Sequence, residues 1–324
     1  MKARPSLICL FGPTASGKTE LVSTLFEGRA ELISADAFQV YRHLDIGTAK
    51  PSKDLRARLP HHLIDIRNPD EQFSVADFVH AAVSLIPQIR ARGKIPLVTG
   101  GTAYYFRSLL YGLPDTPPSN PAVRMALQNE LKESGLVRLR ETLREVDPVS
   151  ERRIAANDSY RVMRALEVYR TSGRPLSDFT VAFEPRGDVN AVLIALARPR
   201  KELYHRINER VRRMMAEGLQ SEVAHVCLMG FSGKDPGLRG IGYREFLTHV
   251  DPDGTAEPDL LGRRIEELST AEIAAITERV ATNSRRYAKR QLTFFRSFPG
   301  VHWIDPDGPE EIGRIVERVL ARPR

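Results

Sequence analysis

Gly12, Pro13, Thr14, Ala15, Ser16, Gly17, Lys18 and Thr19 match G-x-x-x-x-G-K-[ST], and the flanks of this octet constrain the fold more than any other feature. Ser6 to Phe11 is a short apolar run stopped by Gly12 and Pro13, which reads as a buried strand. Lys18 to Phe26 reads as a helix. Strand, glycine-rich turn and helix together are the context in which the pattern has a mechanism. The glycines let backbone N–H groups turn inward around phosphate oxygens, and the helix N-terminus adds partial positive charge. Lys18 supplies a full charge, and the Thr19 hydroxyl can ligate Mg²⁺. The octet does not say what carries the phosphates. ATP is the default, as in a small-molecule kinase, but an allylic diphosphate presents the same oxygens.

The remaining pattern extends this start into a fold. Glu31 to Ala35 reads as a second strand. Ser74 and Asp77 form a capping-box signature for a helix that runs to about Arg92 and stops at Gly93. Ile95 to Thr99 follows as a strand, so strands and helices alternate as in a parallel sheet with right-handed crossovers. Pro114, Pro117, Pro118 and Pro121 then crowd one stretch, and residues 121–182 carry helical patterns with almost no strand signal. One helix there spans Ser159 to Ser172, between Asp158 and Gly173. A strand pattern returns at Ala191 to Ala197. Lys201 to Glu217 is a helix with Leu203, Ile207, Val211 and Met214 inside and Arg206, Arg210 and Arg213 on another face. A long helix follows from about Thr270 to Ser297, and Val301 to Ile304 suits a last strand. The expected fold is α/β: a P-loop NTPase-like parallel sheet flanked by helices. Its core is 1–114 with 191–324, and a helical insertion spans 115–190.

Composition narrows the function classes. Two cysteines, Cys9 and Cys227, exclude a disulfide framework and suit a reducing, cytoplasmic setting. The longest clean apolar run, Ala191 to Ala197, is far below the ~20 residues of a membrane helix. Lys2 and Arg4 precede an apolar stretch too short for a signal peptide. The net charge of +7 hints at an anionic partner, and its distribution says more. Arg198 to Arg213 holds seven basic and two acidic residues, and Arg285 to Arg296 holds five basic and none acidic. Solvated helix faces would produce the same counts.

Two side chains fall where open α/β sheets bind ligands, at the carboxyl ends of strands beside the phosphate loop. Asp36 follows the second strand and can ligate metal or act as a base; it also suits a helix cap or turn. Thr102 follows Gly100 and Gly101, which is equally good turn chemistry. Asp65, flanked by Leu63, Ile64 and Ile66, is a rival acid. Its setting is like the strand that presents a metal-binding carboxylate in nucleotide hydrolases, which keeps a P-loop kinase open as the alternative.

Taken together, the blocks resemble a known family. The octet, Ile33-Ser-Ala-Asp-Ala-Phe-Gln-Val-Tyr41, Asp45-Ile-Gly-Thr-Ala-Lys-Pro51, Pro60-His-His-Leu-Ile-Asp65 and Gly100-Gly-Thr102 look like the bacterial tRNA dimethylallyltransferases, also called tRNA isopentenyltransferases. Asn157-Asp158 with Arg161, Arg164-Ala-Leu-Glu-Val168, Gly240-Ile-Gly-Tyr-Arg244 and Tyr287-Ala-Lys-Arg-Gln-Leu-Thr293 continue the likeness in family order. The resemblance implies transfer of a dimethylallyl group from dimethylallyl diphosphate to N6 of the adenosine at position 37, just 3′ of the anticodon, in tRNAs that read codons beginning with U. The phosphate loop would then hold an isoprenoid diphosphate, although its pattern also suits ATP.

By the same resemblance, Asp36 matches the general base and Thr102 a hydroxyl beside it. Lys18, Thr19 through Mg²⁺, and Arg210 match groups that neutralise the leaving diphosphate. Asp36, Ala37, Phe38 and Gln39 match a segment that meets the flipped-out adenine. Arg124, Tyr160, Arg161, Val162, Met163 and Arg164, with Arg239, Gly240, Ile241, Gly242, Tyr243 and Arg244, match segments on the anticodon stem-loop. Arg279, Asn283, Arg286 and Arg290 are spaced 4, 3 and 4 apart, so they share one helical face that can track phosphates. A monomer is the family expectation. Ala37 stands where Ser is common and Phe295 where Trp is frequent. Towards Arg324 no Cys or His ligand set stands for the zinc finger that eukaryotic members often carry. A free-nucleotide prenyltransferase would need no tRNA-sized basic surface, and a non-catalytic RNA binder would not need the intact octet and Asp36.

Overall fold

The computed structural model describes residues 7–179, 186–187 and 189–320. Ser6, Lys2 and Arg4 lie outside the described residues. The chain separates into two compact units, 1–110 with 185–324, and 111–184.

The first unit is built on strands β1 (Leu7–Phe11), β2 (Ala30–Ala35), β3 (His61–His62), β4 (Ile95–Gly100), β5 (Ala191–Leu196) and β6 (His302–Ile304). They form one sheet in the order β3-β2-β4-β1-β5-β6, and each adjacent pair is parallel. The P-loop NTPase-like architecture is therefore present. Every residue of β1 and β2 is buried, as strands covered on both faces require. Register decides the site. Phe11 of β1 and Ala35 of β2 both pair with Gly100 of β4, so three strands end flush. A Cβ at Gly100 would stand 2.2 Å from the Ala35 carbonyl oxygen, which leaves glycine as the residue that fits between the strand ends.

Local chemistry sets the helices around this sheet. Ser74 and Asp77 complete the expected capping box at the head of the Val75–Ala91 helix. Gly17 adopts φ 98° at the head of the Lys18–Phe26 helix, a conformation in which a side chain is strained. Leu203, Ile207, Val211 and Met214 are all buried on the Arg200–Ala216 helix, as their spacing predicts. Phe295 is buried at the end of the Thr270–Phe295 helix and stacks on Phe11, with centroids 4.5 Å apart, so an aromatic packing role is kept there. A second apolar cluster, including Val40, Leu219, Phe246 and Ile276, lies beyond the sheet core. Its short helices Leu219–Leu228, Arg244–Val250 and Pro258–Glu266 were not separable by pattern.

The described part of the unit 111–184 is mainly helical, with Pro121–Val146 interrupted at Gly135, then Pro148–Arg153 and Ser159–Ser172. Asp158 caps the last helix through the Arg161 N–H, and Gly173 closes it at φ 72°. Leu127, Leu143, Val162 and Leu166 belong to its core. Buried Glu167 is satisfied by the Ser119 hydroxyl at 2.6 Å, the Asn120 N–H at 2.8 Å and Arg164 at 3.0 Å.

Asp65 departs from the sequence expectation. The adjacent strand ends at His62, and Asp65 sits in a loop at φ 56°. Its oxygens are taken by Lys50 at 2.6 Å and Arg56 at 2.7 Å. Burial raises its pKa, but those two cations outweigh it and hold the carboxyl below its usual range. A carboxylate so engaged has no metal-presenting geometry, and the kinase signature fails at this residue.

Replacing Gly100 with Ala is expected to cost about 2–4 kcal/mol, because backbone must move to relieve the overlap. Gly313→Ala, where no atom lies within 4 Å of the added Cβ, is the control and is expected to be neutral or mildly stabilising. Urea denaturation checks both, and equal midpoints for the two variants would contradict the register argument.

Candidate active site

The octet folds as a cradle. A Cβ on Gly12 would meet Ser16 Oγ at 2.9 Å and the Leu196 carbonyl oxygen at 3.1 Å, so the loop closes tightly over the end of β1. Ala15 adopts φ 63°, a strained conformation for a residue with a Cβ. Two arginines brace the loop from outside: Arg206 donates to the Ala15 carbonyl at 3.1 Å and Arg198 to the Ser16 carbonyl at 3.2 Å. Lys18 Nζ donates to the Gly12 and Pro13 carbonyls at 2.9 and 2.8 Å. Ser16 Oγ is buried without a hydrogen-bond partner, the one such side-chain atom among the described residues. An orphan hydroxyl within the octet suits an oxygen-rich anion.

Electrostatics agree. Burial, and then Arg210, push the Lys18 ammonium down to about 7, against the pull of Asp36. Burial also lowers Arg210, with Asp36 opposing and Arg213 adding to the effect. Among the described residues neither cation has an ion-pair partner. Two desolvated cations with no carboxylate in ion-pair contact favour a bound anion beside them.

Asp36 stands at the end of β2. Its Oδ1 accepts the Phe38 N–H at 2.9 Å and the Gln39 N–H at 3.3 Å. That fixes the carboxyl in a turn of its own making, and among the described residues no donor reaches Oδ2. The turn reading of Asp36 is thus true of one oxygen. Thr102 Oγ1 accepts the Ala37 N–H at 3.0 Å, so Ala37 is anchored through its backbone. Tyr287 lies beside Thr102 and Gln291. Burial foremost, and then Asp36, raise its phenol to about 12. Gln291 ties the loop to this corner: its Oε1 accepts the Thr14 N–H at 3.0 Å and its Nε2 donates to the Gly101 carbonyl at 2.7 Å.

A cavity of about 1000 Å³ joins these groups. Thr14 to Thr19, Asp36, Phe38, Gln39 and Arg210 line it, as do Arg239, Ile241 to Arg244 and Arg290. Residues 45–51 form a further wall. All lie within the first unit. Arg239, Arg244, Arg286 and Arg290 are exposed, whereas Tyr243 is fully buried with its hydroxyl on Glu222 at 2.6 Å. Gly240 packs on the Phe38 ring, 3.0 Å from its would-be Cβ.

Other expected residues lie in the 111–184 unit. Tyr160 and Arg161 are exposed, and Arg124 lies over the Tyr160 ring at 5.2 Å. Val162 is 0% exposed in the helical core, so its side chain serves packing and not contact. Met163 packs against that core, and Arg164 is bound to Glu167 and the Pro117 carbonyl. On the basic helix, Arg279, Arg286 and Arg290 are exposed, while Asn283 donates to Glu245 at 2.8 Å. Reasoning from sequence assigned no role to Gln291, Tyr287, Arg206 or Glu222. The first two sit inside a block already singled out, but nothing in their spacing reports the bonds they make.

As to metals, no cluster of three or more His, Cys, Asp or Glu side chains that could hold one occurs among the described residues. The exposed Thr19 hydroxyl at the helix head fits an ion that takes most of its ligands from phosphate and water, as Mg²⁺ does. No helix among the described residues is long and apolar enough to cross a membrane.

Fold and site define an α/β protein in which a P-loop-type turn and a carboxylate two strands away line one cavity. The IPP transferase family model matches residues 39–298. A tRNA dimethylallyltransferase of Geobacter sulfurreducens is 39% identical over 94% of this chain and 93% of its own length. Another, of Xylella fastidiosa, is 40% identical over 98% of both chains. The crystal structure of a full-length tRNA isopentenylpyrophosphate transferase from Bacillus halodurans is 34% identical, covers 97% of this chain and 96% of that one, and superposes with a TM-score of 0.65. The chain belongs to the IPP transferase family, that of the tRNA dimethylallyltransferases, and is a prenyltransferase.

The Lys18 shift has a signed consequence. An anion binds the charged ammonium, so affinity for inorganic diphosphate is expected to be highest below pH 7 and to weaken as pH rises through the Lys18 value of about 7. Diphosphate's own ionisation acts in the opposite direction, so the decline isolates Lys18. Calorimetric titration checks it, with Lys18→Met expected to bind weakly and without the decline. A wild-type affinity that is flat or rising above neutrality would contradict it.

Proposed function

We propose that this chain transfers a dimethylallyl group from dimethylallyl diphosphate to N6 of the adenosine at position 37 of tRNAs reading codons that begin with U. One observation carries the reading: the cradle around Lys18 and the carboxylate of Asp36 line a single cavity, at the flush ends of β1, β4 and β2. Strands ~4.8 Å apart put roughly 10 Å between the first and third, which leaves room for a five-carbon allylic group between diphosphate and base.

The chemistry follows from the two ends. N6 attacks C1 of the allylic group, the C1–O bond breaks, and diphosphate departs with the electron pair. The N6 proton passes to Asp36 Oδ2, the oxygen its own turn leaves free. An exocyclic amine is a poor nucleophile, so proton removal accompanies attack. A carboxylate serves there by position more than by basicity. Lys18 and Arg210, with the head of the helix that begins at Lys18, meet the charge that develops on the leaving group, where each donor is worth ~10²–10³ in rate by analogy with oxyanion holes. Thr19 would hold Mg²⁺ through its hydroxyl, and the ion, when bound, supplies further positive charge at the diphosphate. Thr102 keeps the Ala37 backbone, and with it Asp36, in place.

The exposed Arg279, Arg286 and Arg290 track tRNA phosphates on this reading, Arg239 and Arg244 work at the cavity mouth, and Tyr160, Arg161 and Arg124 meet the anticodon stem-loop from the helical unit. Cradle and carboxylate belong to one chain, so a monomer suffices, and the reducing cytoplasm suits its two buried thiols.

Mass spectrometry of anticodon-loop nucleosides tests the reading. With tRNA and dimethylallyl diphosphate together, N6-dimethylallyladenosine is expected at position 37, and neither substrate alone yields it. Asp36→Ala is expected to lower turnover at least ~10³-fold while tRNA affinity changes little. ATP consumption with no modified adenosine would restore the kinase alternative, and a near-normal rate in Asp36→Ala would remove Asp36 as base.

A further inference from the structure

Outside the reacting pair, one carboxylate gathers four donors. Glu222 lies on the Leu219–Leu228 helix. Its Oε2 accepts the backbone N–H groups of Asp45 at 2.9 Å and Ile46 at 2.7 Å. Its Oε1 accepts the Gly47 N–H at 3.0 Å and the Tyr243 hydroxyl at 2.6 Å. Three successive loop amides on one carboxylate form a charge-assisted anchor, because a loop offers such amides no ladder of its own. The fit is close: a Cβ on Gly47 would stand 2.5 Å from the Tyr243 ring. Tyr243 is fully buried, and burial, then Glu222, push its phenol well above its usual value, so it remains a donor.

The anchored segment is a wall of the cavity, residues 45–51. The Thr48 and Ala49 carbonyls accept from Gln39 Nε2 at 3.3 and 3.4 Å. Gln39 Oε1 takes the Ser34 hydroxyl at 3.0 Å, and the Gln39 N–H is one of the two donors on Asp36 Oδ1. At the far end of the wall, Lys50 Nζ, almost wholly buried, donates to Asp65 at 2.6 Å and to Asp45 at 2.8 Å. A continuous set of bonds therefore leads from Glu222 through residues 45–49 and Gln39 to Asp36. It also means that the Gln39 amide is occupied within the protein.

We propose that Glu222 is a positioning residue for the transfer reaction: by pinning residues 45–47 it holds the cavity wall and, through Gln39, the orientation in which Asp36 presents its free oxygen. This rests on the reading of Asp36 as the base. Glu222 acts on geometry and touches no substrate. Misplacing a reacting group by about an ångström costs up to ~100-fold in rate.

Glu222→Gln keeps the shape but turns one acceptor oxygen into a donor facing donors. Its kcat for dimethylallyl transfer is expected to fall about 10- to 100-fold. Affinity for inorganic diphosphate and KM for tRNA should stay within about twofold. Glu222→Asp should recover part of kcat, and Tyr243→Phe, which leaves three amides on the carboxylate, should lower it less than Glu222→Gln. Active sites are counted by diphosphate stoichiometry, so that lost fold and lost rate are separated. A Glu222 that only stabilised the fold would lower the melting temperature and the count of sites, but not kcat per site; that result overturns the proposal. If Glu222→Gln does not fold, Glu222→Asp and Tyr243→Phe decide, and wild-type kcat in both overturns it. A wild-type enzyme that forms no prenylated tRNA fails at a different point: it removes the transferase reading on which the proposal rests.

Discussion

The close approach of Gly100 to Ala35 is the constraint on which the rest depends. It lets β2, β4 and β1 run in parallel and stop level with one another, so that three turns leave the sheet at one edge. The phosphate loop leaves β1, the Gly101–Thr102 corner leaves β4, and the Asp36 turn leaves β2. A side chain at position 100 would shift one strand end against the next and move the carboxylate relative to the cradle. Gln291 reinforces the same edge from above by bonding both the loop and the corner. Its helix also carries the exposed arginines proposed to meet tRNA, so one rigid element serves the phosphate loop and the RNA-facing surface.

Charge is stored in this edge. Among the described residues, Lys18 and Arg210 are desolvated without a carboxylate close enough to pair, and Ser16 keeps a hydroxyl with no partner. In a domain selected only for stability such groups would be paired or replaced. The acid has the opposite character: Asp36 has one oxygen held by backbone amides and one left over. Asp65, the other candidate acid, shows the contrast, since both of its oxygens are committed to cations.

Much of this was legible in the residues because it is local. The phosphate loop, the Ser74 capping box, the Asp158 and Gly173 helix ends and the inner stripe of the Arg200–Ala216 helix depend on neighbours within one or two turns, and all appear in the structure. The block-by-block resemblance supplied the family. What sequence did not yield is non-local. Gln291 meets a loop 277 positions away, and Glu222 meets a segment about 175 positions away. The apolar flanks of Asp65 suggested a strand, but its tertiary ion pairs and left-handed backbone made a loop. Val162 fell inside a segment expected to meet RNA, yet helical periodicity turns it into the core while Tyr160 and Arg161 face out. A segment-level likeness cannot separate those faces, whereas the helix does.

The most direct measurement is a crystal structure with an unreactive thio-analogue of dimethylallyl diphosphate and an anticodon stem-loop. The account places the diphosphate on residues 12–19, the target N6 within hydrogen-bond reach of Asp36 Oδ2, and C1 of the allylic group about 3–3.5 Å from N6. A diphosphate seated elsewhere, or an adenine whose N6 points away from Asp36, would contradict it.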